Sequence, residues 1–211
     1  MGSITLTPGA APGSPAEGEI YYDSTADKLK VRNASAFESV ASGAGAIIQV
    51  VQSSYTTHWE QVMNGSTPEY INNGVEDLNV TITPASSSNK VFLTFSFGAY
   101  APHSSGSGMG LACAIDRNGT LIGINTGSDT AVPKVSFVLH MVNMDYGAKG
   151  TSYTYLDSPS TTSACVYKIK CTAHSSSNWT TRWNRTQTTT TASAGYGGVC
   201  VTNFTAMEVQ G

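Results

Sequence analysis

From Ile47 to the C-terminus the chain is a succession of short apolar-alternating runs, each closed by a turn signal, and no stretch of useful length has a helical period. Successive strand residues point to opposite faces, so Leu78, Val80 and Ile82, set between Asn79, Thr81 and Thr83, share a face only in a strand. Val91, Leu93, Phe95 and Phe97 repeat the pattern over a longer run, after a turn at Pro84–Asn89. Met109, Leu111, Cys113 and Ile115 repeat it again, with the small Ala112 and Ala114 behind them. Asn118-Gly119 then separates that strand from Leu121-Ile122. Asn-Gly between two apolar runs predicts a tight hairpin, because both central residues of a type I′ turn need positive φ. Val135–Val142 is apolar on both faces, which predicts a strand covered by the opposing sheet on one side and by a neighbouring subunit on the other. Ile47–Val51, Val166–Cys171 and Val199–Val209 complete the set. Many short strands with turns between them predict an all-β protein, an antiparallel β-sandwich of jelly-roll-like form.

The first quarter of the chain reads differently. Residues 1–17 carry Pro8, Pro12 and Pro15 among Gly, Ala and Ser, the composition of an extended N-terminal arm without a core. Residues 18–41 predict a small β-meander: a strand at Ile20–Tyr22, a turn at Asp23–Asp27, an alternating strand at Lys28–Arg32, and a third strand after Asn33-Ala34-Ser35. Three such strands are too few to be stable alone. Residues 42–46 are a Gly- and Ala-rich linker, and residues 47–211 are the sandwich domain.

Composition removes several function classes. Charged residues make up 12% of the chain, about half the usual share, and 26 Ser with 26 Thr take their place. A hydrophobic content of 40% with ten Tyr argues against disorder. A net charge of −3, without clustered Lys and Arg, argues against nucleic-acid binding. No apolar run approaches the roughly 18 residues of a membrane span. No basic-then-apolar leader opens the sequence, so synthesis in the cytoplasm is expected.

Catalytic and metal-binding constellations are absent from the sequence. His58, His103, His140 and His174 stand alone, and His140 falls in an apolar strand as a core or interface residue. The carboxylates are scattered, and Gly106–Gly110 lacks the spacing of a nucleotide loop. The expectation is a non-enzyme without cofactor or metal. Cys113, Cys165, Cys171 and Cys200 form no metal-ligand spacing and read as buried thiols. Cys165 and Cys171 would lie about 20 Å apart along one strand, too far to bridge; a disulfide between different strands stays open. The stretch Asn178–Arg185 is the one aromatic-polar candidate. Trp179, Arg182, Trp183 and Asn184 exposed together would suit a glycan, whereas the same tryptophans turned inward would belong to the sandwich core.

Two parts of the chain resemble phage virion proteins. Gly18–Val40 resembles a short module of tail fibres and related structural proteins, an acidic-aromatic strand followed by Lys28-Leu29-Lys30-Val31 and an aromatic strand. The remainder resembles fibre C-terminal domains of environmental and cyanobacterial phages. The matching stretches are Thr81–Pro84 with Ser86–Val91, Ile115–Thr120, Tyr155–Pro159 before Thr161–Ser163 and Val166-Tyr167, and Phe204–Val209, in that order. The resemblance implies a homotrimeric short fibre or spike on the virion exterior, with a β-sandwich head for attachment to a host-surface glycan or protein. Threefold closure would bury faces such as Val138, His140 and Val142. The arm, through Ile4, Leu6 and Pro8, would dock on another virion protein. The short shaft keeps a second expectation open, a capsid-mounted fibre, decoration or tail adaptor protein with a purely structural role.

Overall fold

The computed structural model describes residues 8–11, 13–14, 16–25, 28–34, 36–39, 45–65, 67–102, 109–127, 134–141, 149–173, 179–185 and 200–211. The described elements are all β-strands. The chain divides into two compact units, Met1–Ala46 with Gln210, and Ile47–Val209 with Gly211.

The first unit is a sheet in the order β1-β2-β3-β4, formed by β1 (Pro8–Gly9), β2 (Ile20–Asp23), β3 (Lys28–Arg32) and β4 (Phe37–Ser39). Strands β2 to β4 are the meander expected from the sequence. The arm adds β1, which runs parallel to β2 with Pro8 opposite Tyr22. Proline gives no N–H to a ladder and is tolerated at such an edge. Side-chain pairs tie the strands together. Tyr21 meets Phe37 edge to face at 4.6 Å, and Lys30 pairs with Asp23 at 2.8 Å. None of the described side chains of this unit is buried, so cross-strand pairs, each worth about 0.2–1 kcal/mol, do the work that a core does elsewhere.

The second unit contains β5 (Ile47–Tyr55), β6 (Trp59–Met63), β7 (Glu69–Tyr70), β8 (Asn79–Ile82), β9 (Lys90–Pro102), β10 (Met109–Arg117), β11 (Thr120–Ile122), β12 (Phe137–Met141), β13 (Lys149–Asp157), β14 (Cys165–Ala173), β15 (Trp179–Trp183) and β16 (Thr202–Val209). They form two antiparallel sheets, each four strand positions wide. In one, β13 lies beside β9, β9 beside β16 and β15, and these beside β5 and β6. In the other, β11 and β12 lie beside β10, β10 beside β14, and β14 beside β7 and β8. Every later position pairs with an earlier one in nested fashion: β10 with β11 and β12, β9 with β13, β7 and β8 with β14, β5 and β6 with β15 and β16. This is one long hairpin wrapped into a two-sheet sandwich, the jelly-roll arrangement.

The apex of that hairpin is the turn read from the sequence. Asn118 and Gly119 have φ of 50° and 89°, and Arg117 pairs with Thr120 across them. Asp116 Oδ1 accepts the Gly119 N–H at 2.8 Å, and Asn118 Oδ1 accepts the Val166 N–H at 2.8 Å. Between the sheets, Val91, Leu93, Phe95, Phe97, Phe204 and Ala206 face Leu111, Cys113, Ile115, Tyr167, Ile169 and Cys171, all buried. Phe204 packs edge to face on Phe95 at 4.8 Å and on Phe97 at 5.7 Å.

Two buried carboxylates fasten the rim. Asp157 Oδ2 accepts Arg117 Nη1 at 2.7 Å and the Tyr167 hydroxyl at 2.8 Å. Glu208 Oε1 accepts the Ala85 N–H and Asn89 Nδ2, each at 2.6 Å, and so holds the turn before β9. Burial, and then the bond and charge of Asp157, push the Tyr167 hydroxyl far above its ordinary value.

The strand expected between the opposing sheet and a neighbouring subunit has one face on the core. Phe137 stacks on Tyr153 at 4.4 Å and Leu139 is buried, while Val138 points outward and is 55% exposed. The His140 side chain and Val142 lie outside the described residues.

Asp157→Ala leaves the buried Tyr167 hydroxyl and the half-buried Arg117 guanidinium without their acceptor. It is expected to cost about 3 kcal/mol, read as a lower urea midpoint at unchanged slope. Stability should also fall as pH rises above about 10, where an unfolded tyrosine ionises while folded Tyr167 holds its proton. Tyr167→Phe should flatten part of that alkaline loss in pH-dependent thermal melts.

Candidate interaction face

Strand β15 carries the residues that the sequence nominates for glycan contact, and the structure separates them. Trp183 is fully buried. Its ring stacks on Trp59 at 5.9 Å with 15° between the planes and lies 5.6 Å from Phe97. Asn184 is also fully buried. Its Nδ2 donates to the carbonyls of Tyr55 and Thr57 at 2.6 and 3.0 Å, and its Oδ1 accepts the Thr202 hydroxyl at 2.7 Å. These bonds close the β5–β6 turn onto the start of β16. The reading of Trp183 and Asn184 as sugar contacts is therefore corrected: one fills the core and the other satisfies buried backbone groups. Arg182 points the other way along the strand, where its Nε meets Glu60 Oε1 at 2.9 Å; Arg185 pairs with the same oxygen. The backbone of Trp179 opens β15 opposite Met63, and its side chain is outside the described residues. Ile4 and Leu6 lie outside them as well, and Pro8 is described only as part of β1.

The two outer faces of the sandwich differ in chemistry. Outside the β14 sheet, Lys168 pairs with Asp77 at 3.0 Å and Lys170 with Asp116 at 3.4 Å. Both lysines also sit over the Tyr70 ring, at 4.8 and 4.6 Å. Asp77 is held below the usual carboxylate range: burial opposes this, and its bonds from Asn72 and Lys168 outweigh it. This is a face of paired, largely covered charges.

The outer face of the β9 sheet is different. Strand register puts Val50, Met207, Phe92 and Leu156 side by side in one row across four strands. Val50 is 59% exposed and Leu156 46%, with Met207 and Phe92 half-buried between them. The next row is Gln52, Thr205, Thr94 and Thr154, and the one after it Ser54, Asn203, Ser96 and Ser152. Within those rows Gln52 Nε2 donates to the Thr205 hydroxyl at 3.1 Å and the Ser54 hydroxyl to Asn203 Oδ1 at 2.6 Å. None of these twelve side chains is charged. Exposed Ile48 lies just beyond the apolar row. The sequence shows each residue singly as the outward partner of a strand. The row itself joins positions that lie far apart in the chain, so no local window reveals it.

Among the described residues no three of His, Cys, Asp and Glu come together to hold a metal ion. The arrangement is that of an all-β sandwich with paired charges outside the β14 sheet and, outside the β9 sheet, an uncharged patch of three rows with Lys90 and the Glu60–Arg182 pair beyond it. In comparisons with known proteins, no family model matches the chain. No curated protein matches it.

Trp183→Ala is expected to lower stability by about 4 kcal/mol, whereas Arg182→Ala should cost less than about 1 kcal/mol; equilibrium urea unfolding of both variants checks the division between core and surface.

Proposed function

We propose that the protein is a phage virion structural protein, a homotrimeric short fibre or spike whose jelly-roll head attaches to the host surface. The observation that carries the reading is the uncharged three-row patch on the outer face of the β9 sheet. A solvated sheet face ordinarily presents charge, and the cores of protein interfaces are depleted of it. The Val50–Met207–Phe92–Leu156 row supplies apolar area, and the flanking hydroxyl rows supply hydrogen-bonding groups that tolerate either water or a partner. A second copy of the chain is the occupant that fits best. Bringing two such patches together sets no like charges against one another within the rows. The resemblance carried by Gly18–Val40, Ile115–Thr120, Tyr155–Pro159 and Phe204–Val209 supports a virion setting, in which closed symmetry also protects the outer strands.

Light scattering after size exclusion tests this directly: the expected mass is three times 22.1 kDa. Phe92→Asp should shift that mass to one chain while the far-ultraviolet circular dichroism keeps its strand signature. A monomeric wild-type protein would overturn the trimer. A Phe92→Asp trimer would move the interface elsewhere, to the surroundings of Val138 first. Binding of the purified trimer to host cells then separates attachment from a purely structural role: incorporation into particles with no cell binding would favour a capsid fibre or adaptor.

A further inference from the structure

We propose that Cys113 and Cys171 are a cross-linking site, two thiols that close into a disulfide between β10 and β14 when the chain folds in an oxidising medium. The inference stands on backbone geometry and is independent of the virion reading. The two residues are direct partners in the β10–β14 ladder. Both side chains face the core, both are fully buried, and both are free thiols in this structure.

The kind of pair they form can be read from neighbouring hydrogen bonds. Ser136 N donates to the Cys113 carbonyl at 2.8 Å, so the backbone groups of Cys113 point toward β12 and away from β14. On the other strand, Ile71 N donates to the Ile169 carbonyl, and Ala173 N donates to the Asn64 carbonyl, each at 3.0 Å. Ile169 and Ala173 flank Cys171 at two-residue spacing, so Cys171 also turns its backbone groups away from β10. Cys113 and Cys171 are therefore a non-hydrogen-bonded pair, the narrow kind, with Cα atoms about 4.5 Å apart and side chains close together. That spacing lies at the short end of the window a disulfide spans, roughly 4.4–6.8 Å. The Cys113 thiol now donates a weak bond to the Leu111 carbonyl at 3.6 Å, which a turn toward Cys171 would replace. Cys165 is opposite Ile82 and Cys200 precedes β16 in the other sheet, so neither faces another cysteine among the described residues.

Chemistry sets when the bond forms. Burial, with Cys171 beside it, pushes the Cys113 thiol well above its ordinary value, so the closed sandwich holds little thiolate to react. Exchange belongs to the folding chain, before the sheet seals. With glutathione disulfide as oxidant, one cysteine thiolate attacks a glutathione sulfur and expels glutathione thiolate. The second cysteine thiolate then attacks the protein sulfur of that mixed disulfide and expels the other glutathione. The two cysteine protons go to solvent or to the departing glutathiones, and the two electrons lost by the protein reduce the glutathione disulfide. A chain that folds in a reducing cytoplasm keeps the pair as thiols; one that folds in an oxidising medium closes it.

The full chain, reduced and unfolded in urea, is refolded in parallel in a glutathione redox buffer and in excess dithiothreitol. The oxidised product is expected to weigh less by two hydrogen atoms and to give one linked peptide joining Cys113 to Cys171. It should also melt roughly 5 °C higher than the reduced product at unchanged circular dichroism. A variant carrying Cys165→Ala and Cys200→Ala should keep the link and the shift, and Cys113→Ala should lose both. Four remaining thiols, a linked peptide through Cys165 or Cys200, or an oxidised form that melts lower than the reduced one would overturn the proposal.

Discussion

The sandwich depends on the pairing of its two halves about Asn118-Gly119. Each turn of the nesting brings together residues further apart in sequence, ending with β5 against β16, where Ile47–Tyr55 lies beside Thr202–Val209. Such pairings carry a loop-closure cost before any apolar contact repays it. The structure meets that cost where closure is hardest. Asn184 bridges the end of β15 to the β5–β6 turn and to Thr202. Glu208, near the end of the last strand, holds the turn before β9. Asp157 ties β13 to β10 and β14 through Arg117 and Tyr167. These buried polar groups are fully committed to partners on other strands, so they select one register as well as adding stability. A strand slip of one residue would turn them to the other face and leave the groups they satisfy without partners in the core.

This division explains what could be read from the sequence. Alternation in Val91–Phe97, Met109–Ile115 and Cys165–Cys171 identifies strands and the residues that share a face, because period two is a local property. The Asn118-Gly119 turn was legible for the same reason: its φ requirement belongs to two adjacent residues. Which of two faces turns inward is not local. Trp179, Thr181 and Trp183 could be grouped by parity, but the inward side of β15 is settled by Trp59 and Phe97, contributed by other strands. In Val135–Val142 the apolar composition marks both faces, and the chain itself covers the one with Leu139 and leaves Val138 outward. Asn184, Asp157 and Glu208 look like surface residues in the sequence and are buried, since each meets partners from remote strands. The pairing of β1 with β2 had no sequence signal beyond an extended arm.

The stretches that carry the family resemblance have structural work to do. Asp116 and Asn118 of Ile115–Thr120 build the apex of the nested hairpin. Asp157 of Tyr155–Pro159 is the acceptor for Arg117 and Tyr167. Asn89 of Ser86–Val91 and Glu208 of Phe204–Val209 bond to each other. A likeness resting on these residues speaks to how the chain closes. It names no receptor contact, and the aromatic stretch that looked suited to one contributes Trp183 to the core.

What remains for interaction is set by the contrast between the outer faces. Lys168, Lys170, Asp77 and Asp116 give the β14 sheet a surface of paired charges that resists casual association. The β9 sheet presents apolar and hydroxyl rows with no charge across four strands. Charge is scarce throughout the chain at 12%, but scarcity alone would scatter the few ions over both faces. On the β9 sheet they stand outside the three central rows, as Lys90 and the Glu60–Arg182 pair, and leave a contiguous apolar row that water wets poorly. The row is formed by residues whose inward neighbours on the same strands, Leu93, Ala206 and Asp157, are buried and partnered. Its position is therefore as rigid as the core beneath it. A preformed, uncharged sheet face loses little conformational freedom on contact, which favours a standing assembly contact over a transient one.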